Sequence, residues 1–276
     1  LYEYRAQTGL RPLDQIEAVL NRDRKEATYK LALFRALAEI AQVNERSAVW
    51  LPNGKVGVPL RLIADCWLRY YWPIVASQEF IPQSNAEGAS GKPLKFRAAL
   101  ADLIDEYRHQ GAHGGLTAWY LEGQANNRKP STVAKQHKAF KAIAETIVRG
   151  PVTYAGGALE TGAIFGYDSS NKLVLVPATI WRELVLMGHW ISEAVILRWA
   201  KLSAKFGTSK GVGIEQVLPL LVVSPEPERA TLQARKAFEK AKLNRCTWTG
   251  KRLSGNFAVD HAIPFSLWGS NDLWNL

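Results

Sequence analysis

Few residues in this chain could carry chemistry. The candidates are two cysteines, Cys66 and Cys246, five histidines and the acids that stand near them. His109 and His113 are four apart, a spacing that puts two imidazoles on one helical face for a metal. Gly111, Gly114 and Gly115 break that helix, and no carboxylate or cysteine completes a ligand set. Cys66 lies among Trp67, Tyr70 and Tyr71 and reads as a packed thiol rather than a reactive one. What remains is "VDHAIPFSLWGSNDLWNL", residues 259–276, where Asp260 stands beside His261 and Asn275 follows. The bland reading of such a pair is a buried salt bridge inside a small hairpin. The chemical reading is a base: an imidazole of reference pKa about 6.5 is mostly neutral at neutral pH and can take a proton from water.

From Cys246 onward, "CTWTGKRLSGNFAVDHAIPFSLWGSNDLWNL" resembles the HNH nuclease family, whose core is a ββα-metal fold. An apolar residue precedes Asp260-His261, an Ile-Pro pair follows, and Asn275 precedes another apolar residue. The resemblance implies phosphodiester hydrolysis, which needs an activated water, a metal to neutralise developing charge and an in-line approach. It implies His261 as general base and Asp260 as ligand to a divalent cation, expected to be Mg²⁺. Asn275 would complete the catalytic group structurally, holding the loop that carries His261 through side-chain hydrogen bonds to backbone. In a regular strand Asp260 would face away from Val259 and His261, and Pro264 marks the break that would relax this alternation. Two features depart from the family. Some members bind structural zinc through a Cys-x-x-Cys pair, whereas here Thr249 occupies the second place, so no zinc is expected. The family's last helix, which supplies a final Asn or His ligand, would follow the second strand and lie past Leu276. A chain ending at Leu276 is therefore expected to bind nucleic acid without cutting it.

Positive charge that could hold a phosphate chain is densest just before this motif. Between Arg235 and Arg252 stand seven basic residues, Arg235, Lys236, Lys240, Lys242, Arg245, Lys251 and Arg252, and one acid, Glu239. A second basic set, Lys135, Lys138 and Lys141, lies along a helix expected to run from a Ser131 cap to about Val148, with Val133, Phe140, Ile143 and Ile147 on its other face. Both sets are candidate nucleic-acid contacts, although charge alone fits a solvated helix face equally well.

The elements that must position these groups are mostly helical. Periodicity predicts a helix over 23–43, and Asn53-Gly54 within "VWLPNGKVGVP" predicts a hairpin. Pro59 should open the helix "PLRLIADCWLRYYW". Residues 83–93 read as a loop, a helix follows through Tyr107, and a second hairpin turns at Asp168–Asn171. In the longest helix Leu184, Met187, Ile191, Val195, Trp199, Leu202 and Phe206 recur at helical spacing. Trp190 and Leu197 widen that stripe, which predicts a central, mostly buried element. At Ser224 the composition turns to "SPEPE", a linker signature. The expected architecture is a mainly α N-terminal domain with small β-hairpins, residues 1–223, positioning DNA or a partner. A partial ββα-metal (HNH) module, residues 224–276, would follow it.

Composition bounds the rest. The 276 residues, 47% of them hydrophobic and with net charge +10, can bury a sizeable core and present a field that attracts polyanions. No apolar run reaches spanning length, so no membrane partner is expected, and two cysteines fit a reducing compartment such as the cytoplasm. The expected function is a metal-dependent HNH endonuclease acting on DNA, with RNA as the other candidate polymer. Family analogy adds a protein partner in a bacterial or phage defence system. The alternative is a non-catalytic nucleic-acid-binding or scaffold protein with an incomplete HNH fold.

Overall fold

Two valine-rich strands, each ending in a proline, organise the larger part of the molecule. The structure, a computed structural model, describes residues 11–157, 162–226, 231–242, 245–253, 257–264 and 273–276. The chain divides into two compact units, Leu1–Val223 and Ser224–Leu276. In the first, helices α1 (Pro12–Asn21) and α2 (Tyr29–Val43) lead to strands β1 (Val49–Leu51) and β2 (Lys55–Pro59) and helix α3 (Leu60–Ala76). Helices α4 (Asn85–Ala89), α5 (Arg97–Asp105), α6 (Ala112–Gln124) and α7 (Pro130–Ile147) follow. Strands β3 (Gly166–Asp168) and β4 (Leu173–Pro177) then lead to α8 (Ala178–Phe206) and α9 (Ile214–Leu221). The fold is mainly helical, with one four-stranded antiparallel sheet in the order β1-β2-β4-β3.

The sequence predicts two hairpins, and the structure joins them. Strands β2 and β4 pair antiparallel about Gly57 opposite Leu175, with Lys55 opposite Pro177 and Pro59 opposite Leu173. The amide of Leu60 donates to the Lys172 carbonyl at 3.0 Å, and that of Ala178 to the Gly54 carbonyl at 2.9 Å. The first amide of a helix has no partner in its own helix, and here the turn of the opposite hairpin supplies one for both α3 and α8. Pro59 therefore ends β2 and caps α3, one residue earlier than its expected place in the first turn.

Alternation along the paired strands turns Val56, Val58, Val174 and Val176 into the core. Against them pack the two long helices. Helix α2 offers buried alanines, Ala32, Ala36, Ala38 and Ala41, and α8 meets it at Gly188. A Cβ at Gly188 would stand 3.1 Å from the Ala38 carbonyl oxygen, so the glycine sets how closely the helices approach. Trp67, Trp72, Trp181 and Trp199 are fully buried among them.

Several expectations need correction. Trp190 is 60% and Leu197 43% exposed, because both fall outside the arc defined by Leu184, Ile191, Val195 and Trp199. Helix α2 begins at Tyr29, not Asp23, since the Asp23 carboxylate turns inward to accept from Lys30 at 2.7 Å and from the Gly156 amide at 2.8 Å. The stretch 83–93 contains the short helix α4. Its Ser84 hydroxyl accepts from the Glu87 amide at 3.1 Å, while the Glu87 carboxylate accepts from the Gln83 amide at 2.7 Å. Helix α7 starts at Pro130 with Lys129 as its cap residue, so Ser131 is inside the first turn. The helix break expected of the glycines, by contrast, is present: His113, Gly114 and Gly115 have φ of 51°, 64° and 75°, which leaves His109 and His113 without a common helical face. No helix among the described residues is long and apolar enough to cross a membrane.

The second unit contains helix α10 (Leu232–Lys240), a turn closed by an Arg245–Arg252 bridge, and a 3₁₀ turn at Leu273–Asn275. The second strand expected at the end of the chain is thus a single 3₁₀ turn. Among the described residues, no strand pair flanks Asp260-His261. Of the linker "SPEPE", Pro227 and Glu228 lie outside the described residues.

Candidate functional site

The last turn of the chain bends back onto the segment after His261. The Asn275 side chain is fully buried, and its Oδ1 accepts from the Ile263 amide at 2.8 Å while its Nδ2 donates to the Ile263 carbonyl at 3.3 Å. Its own carbonyl accepts from the Ala262 amide at 2.7 Å. A side-chain amide carries both a donor and an acceptor and so can satisfy both polar groups of a single peptide residue in this way, which fixes the backbone directly after His261. Here the two parts of the motif, fourteen residues apart in sequence, come together.

Asp260 and His261 face different surroundings. The Asp260 side chain is 77% exposed and that of His261 only 1%, with Oδ1 and Nδ1 3.9 Å apart. The Asp260 Oδ1 accepts from the His261 backbone amide at 2.8 Å, which ties the carboxylate to the peptide rather than to the ring. As a metal centre the described residues do not fit. Mg²⁺ prefers six oxygen ligands, and Asp260 offers one carboxylate already engaged by an amide. Among the described residues, no group of three His, Cys, Asp or Glu side chains could hold a metal ion. Cys246 heads the nearby turn, with its amide donating to the Lys251 carbonyl at 2.9 Å and its carbonyl accepting from the Gly250 amide at 2.8 Å. Hydrogen bonding from the Thr249 side chain, helped by the Thr249 and Trp248 amides, lowers the Cys246 thiol pKa.

The basic residues separate by partner. In the second unit Lys236, Lys240, Lys242, Lys251 and Arg252 are exposed, as is Arg245, which also donates to the Gly250 carbonyl at 3.1 Å. Arg235 pairs with Glu239 at 3.0 Å and lies over the Phe257 ring. On α7 the three lysines do not form one face. Lys135 pairs with Asp102 at 3.5 Å and with Glu106, and Lys138 reaches Asp102 at 3.8 Å. The hydrogen bond to Glu106 raises the Lys135 pKa. Asp102 of α5 and Glu106 at its C-terminal cap thus occupy both lysines.

Lys141 lies elsewhere, in a groove of about 1360 Å³ walled by α3, α6, α7 and the β3–β4 turn. Arg61, Arg149 and Lys172 line it as well. Sequence reasoning missed these three because they come from separate elements and form no run. The lining aromatics Tyr120, Phe140 and Tyr167 gave no separate signal either, since each sits in an ordinary amphipathic pattern.

Comparison with known proteins reaches only the first unit. Residues 9–221 match a family described as a domain of unknown function (DUF8808). The chain belongs to the DUF8808 family. The matched stretch contains the joined hairpins, the α2–α8 pair and the whole groove, whereas Asp260, His261 and Asn275 lie beyond it. No curated protein and no solved structure matches the chain.

Proposed function

We propose that this DUF8808 protein acts on nucleic acid, and that its second unit is an HNH-like phosphodiesterase module with His261 as general base. The observation that carries this reading is the clasp of Asn275 on both polar groups of Ile263. It is the role the HNH resemblance assigns to that asparagine, and a chance Asp-His pair would not require it. In this reading His261 takes the proton of the attacking water, and Asn275 holds the peptide that sets the height of the ring. Asp260 is the exposed anion beside it. The exposed cations from Lys236 to Arg252 would meet phosphates without reading sequence.

One observation favours the second reading, a nucleic-acid-binding protein with an incomplete HNH fold. The His261 ring is buried and the described residues offer a cation only Asp260. The test, on the full-length protein, is cleavage of plasmid and labelled oligonucleotides at millimolar Mg²⁺ or Mn²⁺, with binding measured in parallel. The proposal expects His261→Ala to lower the cleavage rate by about 10² to 10⁴ with affinity unchanged. Binding without any cleavage by the wild-type protein would select the second reading, and neither binding nor cleavage would overturn both.

A further inference from the structure

We infer that the groove between α3, α6, α7 and the β3–β4 turn is a binding site for single-stranded nucleic acid. This rests on the reading of the chain as a protein that acts on nucleic acid, and it names the form of polymer that the first unit takes. Three observations carry it. The first is size: about 1360 Å³ exceeds the roughly 300–1,000 Å³ of small-molecule sites. The α7 wall from Val133 to Val148 also runs about 22 Å, which suits a polymer better than a metabolite.

The second is charge. Arg61, Lys141, Arg149 and Lys172 project from four different segments into one groove, and none makes an ion pair among the described residues. The groove's acids are Asp65, already paired with Arg69 at 3.1 Å, and Glu145. Elsewhere on the same helix Lys135 and Lys138 are matched by acids, so the unmatched charge is local to the groove. An anion repeating along a line fits it.

The third is the placing of the rings. Tyr120, Phe140 and Tyr167 line the same groove as those cations and are partly exposed. Bases in a duplex are already stacked on each other and present only backbone to such a wall, whereas an unpaired strand can stack its bases on rings while its phosphates meet cations. The Lys172 end is built in advance. The Asp168 carboxylate accepts from the Ser170 and Asn171 amides at 2.9 and 3.1 Å, fixing the turn from which Lys172 projects.

The test is fluorescence anisotropy of the full chain with a labelled 20-nucleotide single strand of mixed sequence and with its duplex, in EDTA so that binding is read without chemistry. The single strand should bind more tightly than the duplex. Replacing Arg61, Lys141, Arg149 and Lys172 together by glutamine should weaken single-strand binding by at least about tenfold and flatten its log affinity against log salt slope by up to about three units. Phe140→Leu, which keeps most of the volume but removes the stacking face, should cost about tenfold with little change in slope. The control pair Lys135→Gln and Lys138→Gln should leave affinity unchanged. Tighter binding of duplex, or wild-type affinity in the fourfold variant with its circular dichroism intact, would overturn the inference. Wild-type affinity in His261→Ala with cleavage abolished supports both proposals. Groove-dependent binding with no cleavage by the full-length wild-type protein leaves the groove standing and removes the phosphodiesterase reading.

Discussion

The two units treat their reactive groups in opposite ways. In the first, the buried carboxylates Glu87 and Asp23 are matched. Glu87, fully buried, accepts from Arg97 Nε at 2.6 Å and from the amides of Gln83 and Leu94 at 2.7 and 2.9 Å. Asp23 is held by Lys30, and Glu39 by Arg69 and Tyr70. Cys66 is pushed up to about 12 by burial, with the nearby Glu39 charge adding to it. In the second unit Asp260 faces solvent and the Cys246 thiol is lowered by its hydrogen-bonding turn. A large core can enclose charges only by completing their hydrogen bonds, which silences them chemically. A unit of about 50 residues cannot bury as much and leaves such groups within reach of solvent. Buried polarity in the first unit thus reports folding, whereas Asp260 and Cys246 in the second stay at least partly accessible.

The sharpest way to break this comparison is to alkylate the thiols. In native protein at pH 8, iodoacetamide should modify Cys246 more than about a thousandfold faster than Cys66, since thiolate fraction and access both favour it. Peptide mass spectrometry over time reads the ratio, and denaturant should bring the two rates together. Comparable native rates would mean that the first unit opens often, which would undo its description as a closed core.

Mutation should separate the units next. Glu87→Ala strands Arg97 in a buried site and removes the acceptor of two buried amides, so denaturant unfolding of the first unit should lose about 3–5 kcal/mol. Asn275→Ala removes hydrogen bonds whose net worth is about 0.5–1.5 kcal/mol each. Its effect should appear as faster hydrogen exchange at the Ile263 amide, by about tenfold, with the Ala262 amide less changed because its acceptor is the backbone carbonyl of Asn275. An Asn275→Ala protein with unaltered exchange at Ile263 would remove the clasp from the case for an HNH-like module.

Legibility in the sequence followed the range of the interaction. Asn53-Gly54 announced its hairpin because the turn is decided within four residues. The Ser84 cap on the Glu87 amide was equally local and could have been read from its S-x-x-E pattern, which the small polar residues around it obscured. The joining of β2 to β4 was not legible, because its register depends on residues more than a hundred positions apart that read only as two valine-rich edges. Likewise three lysines at helical spacing suggested one phosphate-tracking face, and the acids Asp102 and Glu106 that claim two of them come from another helix. The Asp260, His261 and Asn275 set could be picked out as types in order. What the sequence could not supply was their exposure: the acid is outside and the imidazole inside.

The smallest expected effect concerns pH and the first unit's paired charges. Burial pushes the Glu39 carboxyl up, but Arg69, the hydrogen bond from Tyr70, and Arg35 together outweigh it and leave its pKa lowered. Arg69 also reaches Asp65, and Arg35 lies 3.9 Å over the Tyr70 ring, so the positive side of this cluster persists at all accessible pH. A group whose folded pKa lies below its unfolded value near 4.5 contributes stability that is fully present above that value. This contribution is lost as pH falls through the folded pKa. The denaturant midpoint of the wild-type protein should therefore decline as pH drops below about 4.5. Glu39→Gln should start lower, since it weakens the pair with Arg69, yet decline less steeply over the same range. A Glu39→Gln protein with the wild-type slope would mean that Glu39 exchanges protons as freely as a surface acid, and the contrast between the units would then rest on the thiols alone.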